Sequence, residues 1–304
     1  MNHLIGLGYG LLATAAWGSF YIAGRWLFGE SGNALNSWLF NFHRFGVAVL
    51  ALSLLLLKPD NRKKFLAAVR DDWKTFLVIS LVGIDMESIL VFSSLNFTTA
   101  ARCSLMANCS PIAIVILAYL LLKQKTSPAG LAGMGIGFAG IVLATLAPGG
   151  DVYADTSWRT LLGDGMALGS GVCWAVFTVC GAEVSRKYGG QVCMFTSFLF
   201  GFLLMIPVLP LTVSAADWRA VDGRQWAGIF YTGVVTLALA NVWWYAALRH
   251  LKPGVLGAFG YLSAAITFTL SLFVLKERFT FLFVLAIALI LGGMALMVKK
   301  PKRS

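Results

Sequence analysis

Apolar residues in this chain fall in long runs, near residues 4 to 28, 35 to 57, 73 to 96, 98 to 122, 128 to 147, 163 to 187, 191 to 212, 226 to 250, 253 to 275 and 279 to 298. Polar residues collect in the short gaps between them. A helix needs about 20 mostly apolar residues to cross a bilayer, so the pattern predicts ten transmembrane helices. Only Phe97 to Arg102 separates the third run from the fourth. The first run lacks a basic leader, is long for a signal peptide and has a counterpart at 163 to 187, so it reads as a permanent helix.

The runs repeat. Sliding residues 73 to 143 forward by 153 positions lays them on residues 226 to 296 without a gap. Trp73 falls on Trp226, Leu95 on Leu248, Ser110 on Ser263, Leu121-Leu122-Lys123-Gln124 on Val274-Leu275-Lys276-Glu277, and Gly140 on Gly293. A slide of 157 lays Gly8, Leu11, Trp17, Phe20 and Gly24 on Gly165, Leu168, Trp174, Phe177 and Gly181. The chain therefore reads as two five-helix units, residues 1–150 and 151–304. A unit with an odd number of crossings ends on the side opposite its start, so the second copy is expected upside down relative to the first. Secondary transporters use inverted repeats of this kind, with a substrate site near the midplane where the copies meet.

Composition agrees with a membrane class. Hydrophobic residues are 59% of the chain and charged residues 12%, against about half and a quarter in soluble domains. The expected fold is all-α and polytopic, with the lipid bilayer as its first partner. A net charge of +11 invites a nucleic-acid reading, but the excess lies in the gaps. With the N-terminus inside, the inner segments hold Lys58, Arg62, Lys63, Lys64, Arg70, Lys74, Lys123, Lys125, Arg186, Lys187, Arg249, Lys252 and the tail Lys299, Lys300, Lys302 and Arg303. The outer segments hold only Arg102, Arg159, Arg219, Arg224, Lys276 and Arg278, mixed with acids. Positive-inside topology with both termini cytoplasmic accounts for this better than nucleic acid does.

Cys103, Cys109, Cys173, Cys180 and Cys193 lack the paired spacing of a metal or thiol-redox site, and no cofactor or metal is expected. The match Gly135-x-Gly137-x-x-Gly140 lies inside an apolar run with no strand before it, which removes the dinucleotide reading. With Gly133, and with Gly292 and Gly293 opposite, it reads as a small-residue face for close helix packing.

Charges inside spans are costly and mark candidate sites. The third span carries Asp85 and Glu87, the second His43 and Arg44. Two residues on a helix are about 200° apart, so the two acids face different neighbours. Arg44 and Glu87 lie at equal depth, which allows an ion pair if their helices touch. Either that pair locks two helices and Asp85 lines an aqueous pocket, or these groups meet substrate or a proton. Aromatic residues supply a second constellation. Trp17 and Trp174 are repeat mates near the membrane centre; Thr14, Trp17, Tyr21 and Gly24 share one helical face, and Asn241, Trp244 and Tyr245 another. Packing is the plainer account of each alone. In the fourth and ninth spans Asn108 falls on Tyr261, beside Pro111 in one copy and Gly257 and Gly260 in the other, residues that loosen helices lining a cavity.

At these residues the chain resembles a known family. The Gly-rich first span with Trp17, Arg44, the short third-to-fourth connection followed by Ala107 to Ile112, Leu122-Lys123-Gln124 with its mate Leu275-Lys276-Glu277-Arg278, and the Gly-rich fifth and tenth spans look like EamA-like ten-span exporters of the drug/metabolite transporter superfamily. Within that group the chain most resembles bacterial aromatic amino acid exporters. Gln124 departs from the family's Glu, which Glu277 keeps. The resemblance implies two inverted repeats, a central cavity lined by spans 1, 3, 4, 6, 8 and 9, the fifth and tenth spans packed at one edge, and export across a bacterial inner membrane.

The expected cavity set is Trp17, Tyr21, Asp85, Asn108, Trp174, Thr178, Asn241, Trp244, Tyr245 and Tyr261, with Arg44, Asp85 and Glu87 as candidate coupling or ion-pair groups. Aromatic walls with an acid and amides suit an amino acid; a lipophilic cationic drug or another small metabolite is the alternative. An intramembrane enzyme is a remote one, since His3, His43 and His250 are dispersed and no paired catalytic set is visible. Oligomeric state is not legible.

Overall fold

In a computed structural model, residues 2–28, 35–108, 110–123, 128–146, 157–248 and 280–298 are described, together with 250, 263, 266, 267, 269, 270, 273 and 274. The fold is all-α, with no strand among the described residues. Its helices are α1 (Asn2–Phe28), α2 (Ser37–Ser53), α3 (Pro59–Asp71), α4 (Trp73–Ser80), α5 (Glu87–Ser94), α6 (Ala100–Ala107), α7 (Ser110–Leu122), α8 (Pro128–Leu146), α9 (Trp158–Tyr188), α10 (Gly190–Met205), α11 (Leu209–Thr212), α12 (Ala215–Ala220), α13 (Gly223–Phe230), α14 (Ala240–Leu248) and α15 (Phe281–Val298).

Among the described residues, six stretches are long and apolar enough to cross a membrane: Leu4–Phe28, Ser37–Leu57, Trp73–Ser94, Ala100–Leu121, Trp158–Gly181 and Gly223–Trp244. Gly190–Met205 and Val284–Gly293 are shorter apolar helices, and α8 adds 19 residues without a charge. The ninth predicted span lies mostly outside the described residues. Leu11, Leu50, Phe138, Leu203 and Phe230 are exposed, as a surface bathed by lipid tails requires. This is a multi-pass membrane protein.

Local chemistry explains the ends. Asn36 caps α2 by accepting from the Trp38 and Leu39 amides, and Thr99 caps α6 by accepting from the Arg102 amide. Ser214 with Asp217, and Asp222 with Gln225, form capping boxes that start α12 and α13. The seventh span stops at Met205 rather than 212, because Pro207 and Pro210 cannot donate to a continuing helix. The sixth is longer than expected, 31 residues. Between spans two and three, where the sequence suggests a loop, Pro59 starts the amphipathic α3, which buries Ala68 and leaves its Lys and Arg residues outward.

Two segments are π-helical: Leu81–Met86 joins α4 to α5, and Tyr231–Leu239 joins α13 to α14. The 153-residue slide lays the first inside the second. Such insertions cluster at functional sites, and here they interrupt the third and eighth spans.

Packing follows the exchange of one copy for the other. Span one packs on span eight, and its counterpart, span six, on span three. Span two packs on span eight and span seven on span three, while spans two and seven also meet each other. Span four packs on span six; the mirrored contact joins span nine to span one, where Thr267 Oγ1 donates to the Gly18 carbonyl at 2.9 Å. The fifth and tenth spans form a pair. A methyl on Gly293 would sit 2.5 Å from the Gly133 carbonyl oxygen and 2.6 Å from the Gly137 nitrogen, so the small-residue face closes within the chain. Gly135 and Gly292 do not take part; each faces open space.

Candidate functional site

The aromatic candidates come from several spans. Trp17 of α1 lies 5.0 Å, centroid to centroid, from Trp244 of α14, so spans one and eight share an aromatic contact. Trp174 of α9 stacks on Phe177 at 5.2 Å, and Phe177 presses on the third span, its Cβ 2.5 Å from where a methyl on Gly83 would be. Only glycine permits that approach. Thr178 Oγ1 donates to the Trp174 carbonyl at 2.9 Å, and Thr14 Oγ1 donates to Gly10 at 2.6 Å. Thr14 is thus satisfied within its own helix rather than standing ready for a ligand.

Asn108 ends α6, where Nδ2 donates to the Ser104 carbonyl at 2.7 Å and to Ser104 Oγ at 3.2 Å; the residue is partly accessible. Asn241 is buried and donates to the Leu237 carbonyl of the π segment at 2.7 Å. Tyr245 lies in α14, with its side chain outside the description, and Tyr261 lies outside the described residues.

The two acids of the third span part company. Asp85, on the π segment, is buried, and its Oδ1 has no hydrogen-bond partner. It abuts the seventh span, 2.6 Å from where a methyl on Gly201 would be. Glu87, at the start of α5, turns toward spans one, two and six, where its charge reaches Tyr21, Arg44 and Cys173. Glu87 and Tyr21 are enclosed by protein yet keep accessible surface.

Arg44 is buried at 2% exposure. Its guanidinium lies 4.9 Å from the Phe20 ring, 4.8 Å from Phe92, 5.7 Å from Phe45 and 5.9 Å from Phe40, a cage of π faces that attracts a cation. Nη1 donates to Asn41 Oδ1 at 3.1 Å, and Nε has no partner. Arg44 and Glu87 are within electrostatic reach but form no contact ion pair among the described residues.

Among the described residues, the contact ion pair inside the bundle joins residues absent from the sequence-based set. Arg102 of α6 pairs with Asp164 of α9, both side chains at most 5% exposed, and Thr98 Oγ1 donates to the same carboxylate at 2.9 Å. Arg25 of α1 donates from Nη1 to the Leu95 carbonyl at 2.6 Å and to Thr98 at 3.3 Å. These residues tie spans one, three, four and six together at the end that carries the 94 to 100 connection. The sequence reading counts Arg102 as a loop charge; the Thr99 cap instead places it in the first turn of a buried helix. Charge within an apolar run is the signal that picks out Arg25 and Asp164.

No group of three or more His, Cys, Asp or Glu able to hold a metal occurs among the described residues. Cys173, Cys180 and Cys193 are free thiols among the described residues.

The model of the EamA-like transporter family matches this sequence twice, over residues 4–146 and 161–299. The chain belongs to the EamA-like transporter family. Relatives agree in class: an uncharacterized transporter, YetK, of Bacillus subtilis is 26% identical over 86% of this chain and 78% of its own length. The aromatic amino acid exporter YddG of Ancylobacter novellus is 24% identical over 78% and 80% respectively. A solved crystal structure shares the fold, with a TM-score of 0.65 over 97% of this chain and 95% of that one at 20% identity. Family and relatives thus describe a membrane transporter of small molecules rather than an enzyme.

Proposed function

We propose that this EamA-like transporter exports amino acids, aromatic or over a broad range, from the cytoplasm of a bacterial cell. What supports the reading is a set of partly accessible groups drawn from both halves of the chain, Trp17, Tyr21, Trp174 and Trp244 with Asn108, Thr178 and Glu87. Rings accept a side chain, an acid accepts an ammonium, and an amide meets a carboxylate. The relative described as an aromatic amino acid exporter supports the same substrate class.

Alternating access follows from two inverted copies, residues 1–150 and 151–304. Its support is the copy-exchanged packing and the superposable π segments. A π turn weakens the regular ladder, so spans three and eight are where the bundle bends. Rocking of one copy against the other opens the lining to either side in turn. The lysines and arginines flanking α3 and the inner ends orient both termini to the cytoplasm of the inner membrane. Asp85 serves as a candidate proton carrier, with facilitative export down the cytoplasmic substrate gradient as the other mode.

Aromatic faces beside an acid also favour lipophilic cations. A substrate panel in proteoliposomes separates the readings. Exchange of labelled phenylalanine, tryptophan, methionine or threonine is expected; movement of cationic dyes without any amino acid exchange overturns the assignment.

A further inference from the structure

We propose that Glu87, and not Asp85, is the acid that receives the cationic group of the substrate. The inference deepens the proposed export function and rests on it. Composition offers both carboxylates of the third span; geometry separates them. Asp85 is buried against the seventh span, close to Gly201. Glu87 keeps accessible surface and lies where its charge reaches Tyr21 of span one, Arg44 of span two and Cys173 of span six. Its one hydrogen bond among the described residues is from Ser88 Oγ to Oε2, at 3.1 Å, which leaves Oε1 open on the accessible side.

The surroundings fit an ammonium. Arg44 offsets the charge of Glu87 from a distance without occupying it: its guanidinium rests against the Phe20 and Phe92 rings, which are themselves in edge-to-face contact. A contact ion pair would occupy the carboxylate, and none joins Arg44 to Glu87 among the described residues. The charge of Glu87 reaches Tyr21 and Cys173, and the Phe20 and Tyr21 rings meet edge to face at 5.1 Å, giving an apolar wall near the anionic point. A bound ammonium at Glu87 would leave its side chain against that wall. Glu87 is thereby a specificity residue: it selects for positive charge, while the rings select for shape.

The test compares phenylalanine with 3-phenylpropionate, which lacks the ammonium, as competitors in counterflow by the purified full chain in proteoliposomes. Wild type should favour phenylalanine by about tenfold or more, the worth of a charge-assisted hydrogen bond. Glu87→Gln should bring that ratio close to one by raising the apparent KM for phenylalanine, and Glu87→Asp should restore part of it. Asp85→Asn should slow both compounds by a common factor and keep the ratio. A Glu87→Gln protein that elutes as a single species, loses maximal rate alike for both compounds and keeps its preference overturns the proposal. If wild type moves cationic dyes alone, the amino acid reading falls, and the dye KM in Glu87→Gln decides the present one: a rise supports it and no change sinks it.

Discussion

The third and eighth spans carry the same backbone irregularity at superposable positions, yet one bears Asp85 and Glu87 where the other bears Ala238 and Ala240. Both alanines are buried, at 3% and 0% exposure. The duplicated feature is the bend; the feature kept in one copy is the charge. A similar contrast separates the two ends of the bundle. Arg102 and Asp164 latch spans four and six, while the slides put Val255 and Leu7 at the exchanged positions. On the proposed alternating-access reading, the shared backbone gives a pair of related motions, and the unshared side chains make the two states chemically unequal.

The largest expected effect comes from breaking the unshared latch. Arg102→Ala leaves Asp164 buried without its cation and should cost about 3–5 kcal/mol, read as a lower thermal midpoint in detergent. Changing both residues to leucine, which copies the apolar character of the exchanged positions, should recover most of the loss. Erasing the contrast in the other direction is nearly as severe. Ala240→Glu puts an acid at a fully buried site in the eighth span and should cost about 3 kcal/mol, seen as a reduced yield of monodisperse protein.

Smaller effects sharpen the contrast. Asp85→Asn should lower transport several-fold, since the acid sits unpartnered where spans three and seven must slide past each other; unchanged flux with unchanged pH dependence would remove Asp85 from the mechanism. The smallest effect belongs to the opposite end of the bundle, outside the membrane-spanning helices. There Asp72 accepts hydrogen bonds from Lys187 Nζ at 2.8 Å and Tyr188 Oη at 2.6 Å. These bonds hold its carboxyl below the usual range, and Asp72 in turn raises the Lys187 ammonium. A depressed carboxyl stabilises above its unfolded pKa and loses that as pH falls through the folded one. A raised ammonium stabilises below its unfolded pKa and loses that as pH rises through the folded one. The contact should hold between about pH 4 and pH 10, and Asp72→Asn should shift the thermal midpoint only slightly, within that window.

Much of the fold is legible in the residues. The apolar runs mark the helices, and the ungapped slide anticipates that spans three and eight share a π segment's position without revealing the π turn itself. Proline at 207 and 210 marks the early end of span seven for any reader who weighs it. The site is less legible. Facing along span three cannot be counted at 3.6 residues per turn, because the π segment at 81 to 86 winds differently from the helices beside it. Where Asp85 ends up depends on Gly201, a residue of another copy whose missing side chain makes the room. The Arg44 cage depends in the same way on Phe20 and Phe92, brought together by packing between spans rather than by spacing within one.

Carrier exchange through the space between the two copies is the claim on which the rest depends. Counterflow of labelled phenylalanine in proteoliposomes holding the purified chain tests it most directly. The account predicts flux that saturates with concentration and is accelerated by unlabelled substrate on the opposite side. Flux that rises in proportion to concentration and ignores substrate on the opposite side would contradict it.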